Sequence, residues 1–447
     1  MKMKTFKIGC FLFLLLGSLR MWSQVEPSAT GGAYDPENDT RMRVPPPVSG
    51  QSFPTSAGSE ERSNYISGGM VFTAAYVDNL LNIQSSAPVS DQTYAIFPNI
   101  SIQQKTSRQS GSLRYGAGYT IYQHTSDLTD FVQNADADYQ FRMSKYSTIS
   151  FHDSFSQNSS SFNEPNPSAG SAVSGSPQAP IPGLLVPFRN QLSNTVRGDL
   201  AYQFARDAMI GGGGNYSFLH YGDVSNEPEI SDSDTTGGSA FYNRRIGPRN
   251  YLGAIYSYSR FTTHPLSSTT DTHALLGFFT VFISKTVSIS AAGGPQYFTS
   301  AQAPHPSVNK WTPAVGASVG WQTPRTNLAV NYMRAVSSGG GLVGSFYTNS
   351  AALSMQWLLN RRWSIAGNGS YYNNRSATPV YTAQNQGGHT LSGGASLQHR
   401  FMENLSAELG YGHFVQSYAA ISSLSNSQDS NRYYVSVNYQ FSRPLGR

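Results

Sequence analysis

From about residue 63 to residue 441, apolar and polar residues alternate in runs of about ten. Strand side chains point alternately to opposite faces, so each run predicts a strand with one greasy face and one wet face. The last run is the cleanest. Tyr433, Val435, Val437, Tyr439 and Phe441 share one parity, and Tyr434, Ser436, Asn438 and Gln440 share the other. Further back, Ala135, Ala137, Tyr139, Phe141 and Met143 oppose Asp136, Asp138, Gln140 and Arg142. Val196, Leu200, Tyr202 and Phe204 oppose Arg197, Asp199 and Gln203 in the same way. Residues 273–283 depart from the rule, being apolar on both parities. Such a strand contacts another part of the assembly or borders an apolar solute path.

The connections sort into two kinds. Short turns are predicted around Arg108, Lys145, Asp207, Pro248, Lys285, Arg325, Arg361 and Glu403. They alternate with longer polar segments at 78–92, 124–130, 158–190, 222–235, 263–272, 299–309, 337–345, 376–387 and 417–430. Eight turns and nine loops predict about 18 strands, within a range of 16–18. A soluble sandwich has no reason to make every second connection long, whereas a membrane barrel does. Runs of about ten residues also match a tilted strand crossing a bilayer. The predicted fold is all-β: a single transmembrane up-and-down antiparallel barrel over 63–441, with short periplasmic turns and long extracellular loops.

About 18 strands enclose a lumen too wide for side chains to fill, so the greasy parity is expected to face lipid. Aromatic residues near strand ends, among them Tyr76, Trp311, Trp357, Trp363, Tyr439 and Phe441, then fall where interfacial girdles belong.

Composition strengthens the reading. Of 447 residues only 12% are charged, while 13% are aromatic and 42 are glycine, which suits strands and turns rather than helices. Residues 1–23 carry Lys2, Lys4 and Lys7, then an apolar run through Leu16 and small residues near Ser23, the layout of a secretory signal peptide. The formal charge of +5 falls to about +1 once Lys2, Lys4, Lys7 and Arg20 leave, which removes the case for a nucleic-acid partner. Cys10, the one cysteine, leaves with them. Residues 24–62, rich in Pro, Gly and Ser, predict a flexible periplasmic arm or partial plug, and 442–447 a periplasmic tail.

Val435, Val437, Tyr439 and Phe441 resemble the C-terminal signal read by the barrel assembly machinery, and the chain resembles Gram-negative outer-membrane β-barrels over 63–441. The signal normally stops at the last aromatic, whereas here 442–447 follow. The strand number resembles 18-strand families that include sugar and basic-solute porins and exopolysaccharide exporters. It is similar too to uncharacterised barrels with Arg- or Asn-containing periplasmic turns, some associated with exopolysaccharide systems. The resemblance implies an outer-membrane location with both termini periplasmic. It also implies membrane lipid and lipopolysaccharide as surroundings and a hydrophilic solute or polysaccharide as cargo.

Catalytic signals are weak. His152 and Ser154, two apart on one face, are similar to a pattern in outer-membrane phospholipases, but the residues that follow do not match and this face is predicted to be the lumen. The glycines at 211–214 lack the Lys-Ser/Thr of a phosphate loop and more simply allow close backbone approach. The acidic segment 223–234 offers oxygen ligands for Ca²⁺, though a solvated surface loop is the simpler reading. The histidines show no metal-ligand spacing, so no metal, cofactor or enzymatic activity is expected.

The wet parity supplies the candidate lumen residues: Arg114, Asp136, Asp138, Arg142, His152, Arg197, Asp199, Arg245, Asn327, Asn331, Asn368, Arg400 and Glu408. Arg142 with Asp136 or Asp138, and Arg197 with Asp199, are expected to neutralise one another, giving weak ion selectivity. The expected function is passive passage of hydrophilic solutes through an outer-membrane pore. The alternatives are an export channel for a secreted polysaccharide and a surface structural or adhesion barrel with loop-borne interactions.

Overall fold

The computed structural model describes residues 64–80, 88–106, 108–144, 146–158, 190–222, 231–264, 268–284, 286–302, 306–338, 342, 344–377, 387–418 and 428–444. The signal segment 1–23, the arm 24–62 and most of the loop 158–190 lie outside them.

Eighteen runs of alternating residues form eighteen strands. They are β1 (Asn64–Val77), β2 (Asp91–Lys105), β3 (Gln109–Tyr122), β4 (Asp130–Arg142), β5 (Ser147–Asn158) and β6 (Gln191–Ala205). Next come β7 (Ala208–Tyr221), β8 (Asp232–Arg245), β9 (Asn250–His264), β10 (Ser268–Phe282), β11 (Val287–Gln302) and β12 (Val308–Gln322). The last are β13 (Thr326–Ser337), β14 (Phe346–Leu358), β15 (Trp363–Ser376), β16 (Gly388–Met402), β17 (Leu405–Tyr418) and β18 (Gln428–Pro444). Each pairs antiparallel with its sequence neighbours, and β1 pairs with both β2 and β18, which closes the sheet. Closure leaves no edge strand with unpaired backbone groups, the condition for crossing hydrocarbon.

The closing seam is tied by side chains as well as backbone. Thr73 and Ser436 hydroxyls lie 2.9 Å apart, and Asn431 donates from its backbone N–H (2.6 Å) and its side-chain amide (2.7 Å) to Asp78. Five of the short turns share one device. Thr106, Ser144, Ser284, Thr323 and Asn360 each accept, on a side-chain oxygen, the N–H three residues on, at 2.8–3.0 Å. The side chain thereby satisfies a donor that the reversing backbone leaves over.

The greasy parity points outward. Leu353, Val319, Val435 and Val437 are exposed along the middle of their strands. Toward the short-turn end, Tyr202, Trp321, Trp357, Trp363, Tyr439 and Phe441 are exposed as well. Toward the long-loop end, Tyr76, Tyr94, Tyr216, Trp311, Tyr371 and Tyr433 are exposed in turn. An apolar band between two aromatic girdles, on a closed barrel, is the surface of a membrane-spanning barrel.

On the inner parity, the apolar residues lie against their own wall. Phe97 covers Gly116 and Gly118, where an added Cβ would come within 2.4 and 2.6 Å of its ring. Phe97 packs with Val71 and Val132. Residues 273–283 lie mostly in β10, and their second apolar parity turns inward. Phe278 and Leu276 pack with Ala292 and Ile255, and Phe278 lies over Gly253.

Two expectations change. Residues 263–272 are not a long loop: β9 and β10 run on until Thr263 opposes Ser268. Likewise Asp232–Arg245 takes in the end of the expected loop 222–235, and strands cover part of 299–309. The run of Ser and Thr suggests a loop by polarity, but Thr is β-branched and a wet inner wall favours hydroxyls. The second change is at the C-terminus. Ser442, Arg443 and Pro444 continue β18, opposite Ser67, Ile66 and Tyr65, rather than forming a free tail from 442. Pro444 stands at the strand's last position, where its missing N–H breaks no interior ladder bond.

Candidate functional site

Inward-pointing side chains are every second residue of each strand, and most are Ser, Thr, Asn, Gln, Gly or Ala. All thirteen candidate residues fall on this parity. They do not gather at one place. Asn327 and Asn331 lie on β13, Asn368 on β15, Arg400 on β16 and Glu408 on β17. Arg142, Arg245 and Arg400 sit at the short-turn end, and Arg245 is held by the carbonyls of Gly247 (3.2 Å) and Pro248 (3.3 Å).

The remaining six come together on β3–β6. Strand register sets Ser112 opposite Asp138, Asp138 opposite His152, and His152 opposite Arg197. One level on, Arg114 opposes Asp136, and Asp136 opposes Ser154. Within this sector Asp138 meets His152 Nδ1 at 2.7 Å and accepts from Ser112 Oγ at 3.2 Å. Ser154 Oγ donates to Asp136 at 2.9 Å. Arg197 grips Asp199 with Nε at 2.7 Å and Nη2 at 3.0 Å. Ser112, Asp138, Ser150, His152 and Asp199 border an open recess of about 250 Å³ on the wall. Arg114 Nε is buried without a hydrogen-bond partner among the described residues.

Of the two expected charge pairs, one forms. Arg197 and Asp199 are two residues apart on one face, about 6.6 Å along the strand, within reach of a guanidinium. Arg142 lies four residues from Asp138, about 13 Å along the strand, and stays exposed near the rim. His152 takes its place as the partner of Asp138.

His152 and Ser154 bond to separate carboxylates, Asp138 and Asp136, so the geometry holds no serine–histidine relay. The glycine run fits the wall rather than a phosphate: a Cβ on Gly211 would meet the Phe241 ring at 2.4 Å, and one on Gly213 would meet Asp199 Oδ1 at 2.3 Å. In the acidic segment, residues 223–230 lie outside the described residues. Asp232 and Asp234 belong to β8, where Asp232 meets His220 at 2.5 Å and Asp234 meets His264 at 3.2 Å. Among the described residues no group of three or more His, Cys, Asp or Glu is placed to hold a metal ion.

Sequence reasoning missed two inner features. Tyr434 lies flat across Gly410, donates to Glu408 at 2.8 Å, and has the Arg432 guanidinium 5.2 Å from its ring centroid. The signal was present, since Tyr434 and Glu408 are both on the wet parity, but their adjacency depends on the β17–β18 register. Asp91 is the other. It accepts from the backbone N–H of Thr125 (2.9 Å) and of His124 (3.1 Å) and from Thr125 Oγ1 (2.6 Å), fastening the β3–β4 connection to the rim.

No family model matches the chain, and no curated protein matches it. Among solved structures, Acinetobacter baumannii OccAB4 aligns with it at 8% identity and a TM-score of 0.42, covering 86% of this chain and 99% of that one. Pseudomonas aeruginosa OpdK with vanillate aligns at 9% identity and a TM-score of 0.41, covering 85% and 99%. The ferric citrate transporter FecA in its unliganded form aligns at 10% identity and a TM-score of 0.43, covering 85% and 79%. At such scores the likeness carries no weight of its own. The membrane-barrel assignment stands on this chain's closed sheet and two-sided strands.

Proposed function

We propose that the protein is an outer-membrane pore that passes hydrophilic solutes passively, with short turns and both termini on the periplasmic side. One observation carries this reading: a closed barrel with an apolar exterior has an inner wall of hydroxyl and amide groups. Such groups exchange hydrogen bonds with water and polar solutes at little net cost. The β3–β6 sector sets a cluster of fixed charge beside a passing solute. Its Arg197–Asp199 pair sets opposite charges side by side, which supports weak ion selectivity. The strand pattern at Val435, Val437, Tyr439 and Phe441 supports delivery by the barrel assembly machinery.

The test is insertion of purified protein into planar bilayers. Discrete conductance steps with a small reversal potential across a salt gradient are expected. Folded protein that inserts and never conducts would leave a structural barrel in its place.

A further inference from the structure

Charge is segregated along the barrel axis. Seven of the eight short turns carry at least one Arg or Lys, and the eighth, Glu403–Asn404, has Arg400 just before it on β16; their acids are Asp207 and Glu403. In the long connections the proportion reverses. Arg189 is their one Arg or Lys, and they include Asp78, Asp127, Glu164, Asp223, Glu227 and Glu229. The barrel therefore has a basic short-turn rim and an acidic loop end.

The rim cations are available. Arg108, Arg206, Arg249, Arg325, Arg361 and Arg362 sit at exposed turn tips. Lys105, Arg142 and Arg400 point to the lumen side just inside, and are exposed too. Asp207 is taken up by Arg244 at 3.1 Å, which itself points outward. Lys105, Arg142 and Arg400 thus face the mouth, and the turn-tip arginines stand exposed beyond the strand ends. Successive short turns are two strands apart, so cations recur about every 10 Å around the opening.

Such spacing selects its partner. A small anion meets one exposed cation at a time, and salt screens that charge within about 8–10 Å. A linear polymer with repeated carboxylates or phosphates meets several at once and releases counterions at each contact. We infer that the short-turn rim is a docking surface for an extended polyanion, a linear polymer with repeated carboxylates, collected at the mouth. This deepens the pore reading by naming what one entrance gathers.

The experiment measures binding of fluorescent polygalacturonate to the detergent-purified full-length protein, with dextran of equal length as the neutral control. Arg325→Gln/Arg361→Gln/Arg362→Gln is the variant, its fold checked by heat-modifiable migration. Expected are saturable binding that weakens steeply with salt, none to dextran, and roughly tenfold weaker binding by the triple variant at low salt. Equal binding of dextran, or an unchanged triple variant, overturns the inference. Loss of polygalacturonate binding in phosphatidylglycerol nanodiscs, with binding kept in phosphatidylcholine ones, assigns the rim to lipid headgroups and overturns it too. The readout needs no current, so binding without conductance would remove the pore and leave the docking surface.

Discussion

A single residue's parity decides its environment. Leu353 on β14 and Asn368 on β15 are about one residue apart in register, since Ser354 opposes Asn368, yet one faces outward and the other inward. Leu353→Arg should destabilise the barrel by about 2–4 kcal/mol, because it drives a guanidinium into the apolar band. Asn368→Arg should cost under about 0.5 kcal/mol, since water already reaches that side chain. Denaturant unfolding in detergent or lipid checks both, and equal costs would contradict the assignment of faces. At the charged sector, Asp199→Asn leaves Arg197 without its bidentate partner. The reversal potential should then move toward anion preference, and a move toward cations would contradict the pairing. That these residues share the wet face is legible from alternation alone. That His152 rather than Arg142 answers Asp138 is not, because it depends on which residue of the next strand stands opposite.

Strands and short turns were legible because each has a local cause: period-two alternation for the strands, and a Ser, Thr or Asn oxygen at the start of five turns. Strand ends on the loop side were less so. The Thr-rich segment near 263–272 is polar enough to read as loop, yet it lies on a wall that wants hydroxyls. Closure of β1 on β18 joins residues more than 350 positions apart, and no local pattern announces its register. Ala74 stands opposite Val435 on the outer face of that seam. Ala74→Cys/Val435→Cys, with Cys10→Ala, should therefore form a disulfide on oxidation and keep the folded migration on gels at temperatures that unfold the reduced protein. Failure to cross-link in folded protein would contradict the register. Truncation after Phe441 removes the Ser442–Pro444 pairing with Tyr65–Ser67. The truncated chain should still insert but lose heat-modifiability at a lower temperature than the full chain.

At the scale of the whole molecule, three layers follow from one alternation: an apolar exterior, a hydrogen-bonded wall and a wet interior. Eighteen strands make the interior too wide to fill, so inner aromatics such as Phe97 and Phe278 lie flat over glycines instead of meeting across the lumen. Sequence could announce the barrel but not the charged sector on β3–β6, which exists only when four strands lie in register. The most direct test of the central claim is cysteine labelling at neighbouring positions of β18 in liposomes, using a water-soluble, membrane-impermeant maleimide. Asn438→Cys, on the inner face, should label readily, and Val437→Cys, exposed on the outer face, should not. Labelling of Val437→Cys with protection of Asn438→Cys would contradict the account.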